Sequence, residues 1–151
     1  MSIVLLVMSF SVFGQAKLDP TGTYKYRGKT VRLDGAVLGP YSGIIQVKRI
    51  SDSAVAITFF VCKGKPSYNS GGFDDTLSFH DNTAIYTNPE DDSTCKITFK
   101  FDKKGVTVNE ETENYNAACG FGYAVVADGR YRKTSSKTPV LTNALTDEEI
   151  K

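Results

Sequence analysis

The three cysteines are the side chains whose chemistry is easiest to assign in this chain. Cys95 lies on the apolar side of an alternating run over 94–101, and Cys119 opens a glycine-rich stretch that can bend back towards it. The sequence therefore predicts a Cys95–Cys119 disulfide and leaves Cys62 as a free thiol. A bridge over a loop of about 25 residues stabilises a fold by about 3 kcal/mol in the chain-entropy model.

His80 is the single histidine of the chain, and it precedes Asp81 in a turn-like segment. Catalysis by a serine or cysteine nucleophile needs a histidine within hydrogen-bond reach, and a zinc site needs several histidine or cysteine ligands. The sequence has no nucleophile elbow and no phosphate-binding loop. We therefore expect no catalytic residue, no metal, no cofactor and no enzymatic activity.

Acidic residues occur in pairs and short runs that do not favour catalysis. Asp74 and Asp75 are adjacent, so on a strand their carboxylates point to opposite faces. The run over 90–92 follows Pro89 in a turn and lacks the ligand spacing of a calcium-binding loop. A solvated acidic turn is the preferred interpretation.

Two loops have the composition of recognition surfaces, in which rigid aromatic rings alternate with small polar groups. The first loop covers 65–73 and the second covers 114–122. Their candidate binding residues are Tyr68, Asn69, Ser70, Phe73, Tyr115 and Phe121. The alternative remains open that glycines shape these turns and that the aromatic rings only cover one end of the fold.

Residues 3–13 form an uncharged apolar run that has the length of a signal-peptide core and is too short to span a bilayer. Small residues at Gly14 and Ala16 are suitable for cleavage, although no basic segment precedes the run. We expect a signal peptide over 1–16, truncated at its start, and a periplasmic or secreted protein. The alternative is an N-terminal strand or helix of the core.

Short stretches with period-2 alternation fill the rest of the chain, separated by turn residues. Val55, Ile57, Phe59 and Val61 share one face of the stretch over 54–62, which is the pattern of a half-buried strand. The predicted strands cover 22–27, 44–50, 54–62, 73–79, 83–87, 94–101, 106–108 and 123–127, with an extension over 129–132. A long loop or loose hairpin over 28–42 is expected across one end.

About eight short strands without a helical period predict an all-β domain over 17–133. A single antiparallel up-and-down barrel is the preferred architecture, because closure removes exposed strand edges. A β-sandwich is the alternative. Residues 134–151 are predicted to be a C-terminal tail, with capping residues for a short helix over 146–149.

Charged residues make up 23% of the chain, and the net charge is +1. Because no basic stripe is visible along the sequence, nucleic acid is not an expected partner. After removal of the leader, we expect no stable membrane span. The remaining partner classes are another protein or a small apolar ligand.

Four segments together resemble a group of small, mostly uncharacterised exported bacterial proteins. They are the Gly-Thr-Tyr opening at 22–24, the Tyr-Asn-Ser-Gly corner at 68–71, the Cys-x-Ile-x-Phe-x-Phe strand at 95–101 and the Cys-Gly-Phe-Gly…Ala-Asp-Gly-x-Tyr segment at 119–131. Similar pieces occur beside lysozyme-inhibitor-like segments, and the architecture looks calycin-like. The resemblance implies a non-enzymatic binding protein of the cell envelope, with inhibition of a lysozyme-like hydrolase as one expectation. A barrel that carries a small apolar ligand is the alternative.

Overall fold

The structure is a computed structural model that describes residues 18–143, 146 and 148–150. The predicted signal peptide over 1–16 lies outside the described residues. The described residues form ten strands: β1 (Gly22–Arg27), β2 (Val31–Leu33), β3 (Ala36–Leu38), β4 (Ser42–Arg49), β5 (Ala54–Cys62), β6 (Ser70–His80), β7 (Thr83–Asn88), β8 (Asp92–Asp102), β9 (Gly105–Glu111) and β10 (Gly129–Ser135). A 3-10 turn covers Ala118–Gly120.

Eight of these strands close into one antiparallel barrel, in the order β1-β10-β9-β8-β7-β6-β5-β4, with β4 also paired to β1. Within the barrel, strands that follow one another along the chain are neighbours in the sheet. β2 and β3 lie outside the barrel and pair with each other as a separate hairpin. The predicted up-and-down barrel is confirmed. The loose hairpin expected over 28–42 is this β2–β3 unit.

Two of the shortest connections have residues that favour tight hairpin turns. Asp81 and Asn82 both have positive φ, 49° and 59°, between β6 and β7. Two consecutive left-handed residues form the hairpin turn whose twist matches that of the flanking strands. Asp34 and Gly35 make the corresponding turn between β2 and β3, with φ of 49° and 80°.

Alternation along the strands fills the barrel with apolar side chains. Val55, Ile57, Phe59 and Val61 of β5 are each at most 1% exposed. On β8 the predicted inward set is also buried, from Cys95 to Phe101. Every second side chain of these strands therefore packs into one central core.

The last predicted strand is wrong in position. The segment over 123–127 is not a strand, whereas the extension predicted over 129–132 lies within β10, the final barrel strand, which pairs with β9 and β1. Ala124 has φ of 53°, which breaks a strand at this point. The apolar residues of this segment are buried because the segment closes one end of the barrel, and Val125 and Ala127 are at most 1% exposed.

The C-terminal segment also differs from its prediction, because its described residues do not form a helix. The N–H of Asn143 donates to the carbonyl of Glu148, and that of Ile150 donates to the carbonyl of Leu141. These bonds pair residues 141–143 with residues 148–150 in antiparallel orientation. Asn143 also donates from its side chain to Asp74 on β6, which fixes this segment against the outer face of the barrel.

The two ends of the barrel are unequal. Turns over 50–53, 81–82 and 103–104 connect strands at one end. At the other end the connections are longer and cover 28–41, 63–69 and 112–128, together with a short turn over 89–91. We call the second end the long-loop end, and both predicted recognition loops lie there.

Candidate functional site

The loops over 63–69 and 112–128 are joined at the long-loop end by a side-chain hydrogen bond. The amide of Asn69 donates to the carbonyl of Tyr123 at 3.0 Å. Tyr68 and Tyr123 are 58% and 64% exposed. The Lys63 amine lies 5.7 Å from the centre of the Tyr123 ring, within the range of a cation–π interaction. Tyr68 and Tyr123 are therefore two exposed tyrosines on loops whose backbones are linked through Asn69.

A third exposed tyrosine belongs to the same surface. Tyr115 is 80% exposed, and the N–H of Ala124 donates to the carbonyl of Asn116 at 3.1 Å. This bond connects the neighbours of Tyr115 and Tyr123, so the two tyrosines lie on adjacent backbone. We refer to Tyr68, Tyr115 and Tyr123 as the tyrosine surface.

The disulfide anchors this surface to the barrel wall. Cys95 of β8 is bonded to Cys119, with Cα atoms 4.9 Å apart, and the predicted pair is confirmed. Cys62 is a free thiol, also as predicted. The side chain of Asn88 donates to the carbonyl of Cys119 at 3.1 Å. The loop over 112–128 is therefore tied to both β7 and β8.

Asp92 of β8 also holds the loop over 112–128 against the barrel, through hydrogen bonds. Its carboxylate accepts hydrogen bonds from the backbone N–H of Cys119 at 3.0 Å, the hydroxyl of Thr112 at 2.7 Å and the hydroxyl of Thr94 at 2.7 Å. These donors, with the Cys119 N–H first, hold the pKa of Asp92 well below its ordinary value. A carboxylate that is ionised at neutral pH thus fixes the loop beside the disulfide.

Glu110 fixes the other end of the loop. Its carboxylate accepts from the N–H of Ala127 at 2.9 Å, and its own N–H donates to the carboxylate of Asp128 at 2.6 Å. Partial burial raises the pKa of Glu110 above its ordinary value. Both bonds are used to hold the loop against β9, which gives Glu110 a structural role.

The connection over 28–41, which contains the β2–β3 unit, also contacts the other two long connections at the long-loop end. The hydroxyl of Tyr41 donates to the carbonyl of Ala124 at 3.0 Å, and the N–H of Gly39 donates to the carbonyl of Lys65 at 2.9 Å. All three long connections are therefore linked to one another. Such cross-bracing lowers the entropy that the loops would lose on binding a partner.

The six predicted binding residues separate into two groups. Tyr68 and Tyr115 are exposed, Asn69 forms the bond between the loops, and the carbonyl of Ser70 accepts from the N–H of Gly122 at 3.0 Å. These four residues lie at or beside the tyrosine surface.

Phe73 and Phe121 both pack against the core, with Phe73 partly buried and Phe121 buried. Phe73 stacks on Tyr86 with ring centres 3.6 Å apart and planes within 4°. Phe121 is 5% exposed and packs on Phe59. Phe73 lies opposite the inward-facing Phe59 of β5, and the Phe121 ring lies against the inward side of Gly71 in β6. Their rings therefore pack inside the barrel and are not part of the exposed tyrosine surface.

Tyr123 is the site residue that the sequence prediction missed. It was placed inside a strand, where a tyrosine is an ordinary core residue. The absence of polar alternation over 123–127 was the available signal against a half-buried strand. Flanking glycines at Gly120 and Gly122 also mark the segment as a loop.

The middle of the barrel is filled by aromatic rings. Phe59 lies 5.5 Å from Phe73, 5.7 Å from Phe99, 6.1 Å from Phe121 and 6.0 Å from Tyr131, measured between ring centres. These are contact distances for aromatic pairs. The rings around Phe59 therefore pack against one another in the barrel interior.

Reactive groups elsewhere are scattered. His80 is exposed at the end of β6, which is the short-turn end. The Cys62 thiol is half-buried, and its sulfur lies 3.7 Å from the carbonyl oxygen of Tyr68. Over the described part of the chain, no group of three or more His, Cys, Asp or Glu side chains could hold a metal ion.

No protein-family model, no curated protein and no solved structure matches the chain. The described residues include no helix that is long and apolar enough to cross a membrane. The geometry of the long-loop end is therefore the basis of the functional proposal.

Proposed function

We propose that this chain is an exported, non-enzymatic binding protein of the bacterial cell envelope that contacts another protein through its tyrosine surface. The observation that carries the proposal is the grouping of three exposed tyrosines on loops that are tied to each other and to a disulfide. Tyrosine is enriched among residues that dominate binding energy at protein interfaces.

Rigid presentation of these rings strengthens the proposal. Asn69, Asp92 and Cys119 each contribute a bond that holds a loop in place. A surface that is ordered before binding loses less conformational entropy in the complex. Braced loops with exposed aromatic rings are typical of recognition surfaces carried by a rigid scaffold.

Export is supported by the Cys95–Cys119 bridge, because disulfides persist in oxidising compartments. The apolar run over 3–13 supports the same assignment, with a periplasmic or secreted location. The small-ligand alternative receives less support, because the rings around Phe59 already occupy the position that a ligand would take inside the barrel.

A lysozyme-like hydrolase is the partner to test first, because the sequence resembles lysozyme-inhibitor-like segments. The mature chain is titrated into purified lysozymes of several structural types, and the rate at which each clears a peptidoglycan suspension is measured. We expect one type to be inhibited at a one-to-one ratio. Absence of inhibition and of binding by calorimetry across the types would reject this partner.

Variants of the tyrosine surface test the site itself. In Tyr68→Ser/Tyr123→Ser, we expect the affinity for the partner to fall at least tenfold while the melting temperature stays nearly unchanged. The matched control is Ile50→Ser/Ile85→Ser, which removes two side chains that are 55% and 47% exposed and lie outside the long loops. Equal loss of affinity in both double variants would refute the assignment of this surface.

A further inference from the structure

An open groove of about 900 Å³ crosses the outer face of β10, β1, β4 and β5. It is separate from the tyrosine surface and from the barrel interior. No carboxylate lines the groove. The charged and large apolar side chains along it are Lys25, Arg27, Arg130, Arg132, Ile44 and Phe60. We refer to these six residues as the cationic groove.

Strand register arranges the groove with charge on one side and apolar side chains on the other. Arg132 of β10 lies opposite Lys25 of β1, Lys25 lies opposite Ile44 of β4, and Ile44 lies opposite Phe60 of β5. One continuous row thus crosses four strands. The row points outward, because the adjacent Tyr131 in β10 points into the core and is fully buried.

Most of the positive charge in the groove is not neutralised by the protein. Arg130 donates to the carboxylate of Asp102 at 2.8 Å. Among the described residues, the side chains of Lys25, Arg27 and Arg132 form no hydrogen bond and no ion pair, in contrast to Arg130. Lys25 and Arg132 are direct cross-strand neighbours, and like charges in that position destabilise a sheet. A bound anion would remove this repulsion.

The spacing of the positions sets the size of the ligand. Residues two apart on a strand are about 7 Å apart, and adjacent strands are about 5 Å apart. The Cα atoms of the four cationic residues therefore outline roughly 7 by 5 Å, which suits one or two phosphate groups. Ile44 and Phe60 lie about 5 and 10 Å beyond Lys25, so an apolar chain of the same molecule can reach them.

We propose that the cationic groove binds a single anionic amphiphile, whose phosphate-bearing head contacts Lys25, Arg27 and Arg132 and whose acyl chain lies on Ile44 and Phe60. Guanidinium groups form paired hydrogen bonds with phosphate oxygens, which favours Arg27 and Arg132 as the main contacts. The exposed faces of Ile44 and Phe60 give the chain an apolar surface next to the head.

The probe is dihexanoyl phosphatidylglycerol, used below its micelle concentration and titrated into the mature chain by calorimetry. Two matched compounds separate the two parts of the proposal. Dihexanoyl phosphatidylcholine keeps the chains and has no net charge, whereas glycerol 3-phosphate keeps an anionic head and has no chain. We expect each of them to bind at least tenfold more weakly than the probe. Binding of the probe is expected to weaken as salt is raised.

Variants test the residues without disturbing the core. Lys25→Gln/Arg132→Gln removes the facing cations, so we expect at least a tenfold loss of affinity with an unchanged or slightly higher melting temperature. Ile44→Thr/Phe60→Thr is expected to lower affinity for the probe and to leave the weak binding of glycerol 3-phosphate unchanged. The matched control, Lys48→Gln/Lys100→Gln, removes two exposed lysines elsewhere on the barrel and is expected to bind normally.

Several outcomes would overturn the proposal. They are equal binding of the charged and uncharged lipids, equal binding of glycerol 3-phosphate and the probe, or equal loss of affinity in the control. Tighter binding of an acidic peptide or a short oligonucleotide would assign the groove to another class of partner. If a variant failed to fold, the comparison of the three compounds on the unmodified chain would still decide.

Discussion

The backbone N–H of Cys119 donates a 3.0 Å hydrogen bond to the carboxylate of Asp92, which lies 27 residues earlier in the chain. Asp92 is only 6% exposed, and its remaining acceptor positions are used by threonine donors. The covalent bridge at Cys119 and an ionised side chain therefore fix the same corner. Both attachments can be tested separately.

The first prediction concerns stability in acid. Because hydrogen bonds hold the pKa of Asp92 below its ordinary value, its carboxylate stabilises the folded state above the aspartate reference pKa of about 3.9. That contribution is lost as the pH falls further. The difference in urea midpoint between the unmodified chain and Asp92→Asn should be constant from pH 7 to pH 5 and should shrink below about pH 4.

Glu90→Gln is the control for this experiment, because Glu90 is an exposed carboxylate in the preceding turn. We expect its urea midpoint to follow that of the unmodified chain at every pH. A difference for Asp92→Asn that stays the same down to pH 2 would contradict the role given to the ionised form.

The second prediction concerns the disulfide. In Cys95→Ala/Cys119→Ala, the free energy of unfolding should fall by about 3 kcal/mol, since the unfolded chain gains the freedom of a loop with a sequence separation of 24 residues. Chemical denaturation followed by circular dichroism gives the value. Cys62→Ser should change stability by about 0.5 kcal/mol or less, because its half-buried thiol has no covalent partner. A comparable loss in both variants would argue against the structural role of the bridge.

Period-2 alternation was sufficient to predict most of the barrel. The strand over 54–62 was predicted at its observed ends, and the inward faces of β5 and β8 followed from alternation alone. The strand predicted over 123–127 had no such alternation to support it, and these apolar residues close the end of the barrel as a loop. A run of apolar residues indicates that a segment is buried, but it does not distinguish a buried strand from a buried loop.

The sequence predicted part of the tyrosine surface but did not predict the cationic groove. Tyr68 and Tyr115 could be found because each lies in a loop with a recognisable composition. The cationic groove could not be found, because Lys25 and Arg132 are 107 positions apart and become neighbours only when β1 pairs with β10. Because the net charge of the whole chain is only +1, the composition did not indicate a local cluster of positive charge.

The third prediction compares adjacent residues on opposite faces of β5. Phe59 contacts four rings inside the barrel, whereas the side chain of Phe60 lies on the outer face and is half-buried. Phe59→Ala should lower the free energy of unfolding by about 3–5 kcal/mol. Phe60→Ala should cost about 1 kcal/mol. Denaturant titration of both variants gives the comparison, and similar losses would contradict the filled interior.

The fourth prediction concerns the close approach of Gly71 and Phe121. Gly71 lies on β6 with its inward side against the Phe121 ring, so a Cβ atom added there would collide with the ring. Gly71→Ala should therefore lower the free energy of unfolding by about 1–3 kcal/mol, as overpacking does in other cores. Ser78→Ala, an exposed change on the same strand, should cost about 0.5 kcal/mol or less.

A double variant shows whether the collision is the cause. Phe121→Leu frees space beside Gly71, so Gly71→Ala/Phe121→Leu should be less destabilised than the sum of the two single variants. The coupling free energy, obtained from denaturant titrations of all four proteins, should be about 1 kcal/mol in the favourable direction. Strict additivity would mean that Gly71→Ala acts through the backbone of β6 and that the ring of Phe121 is not held against it.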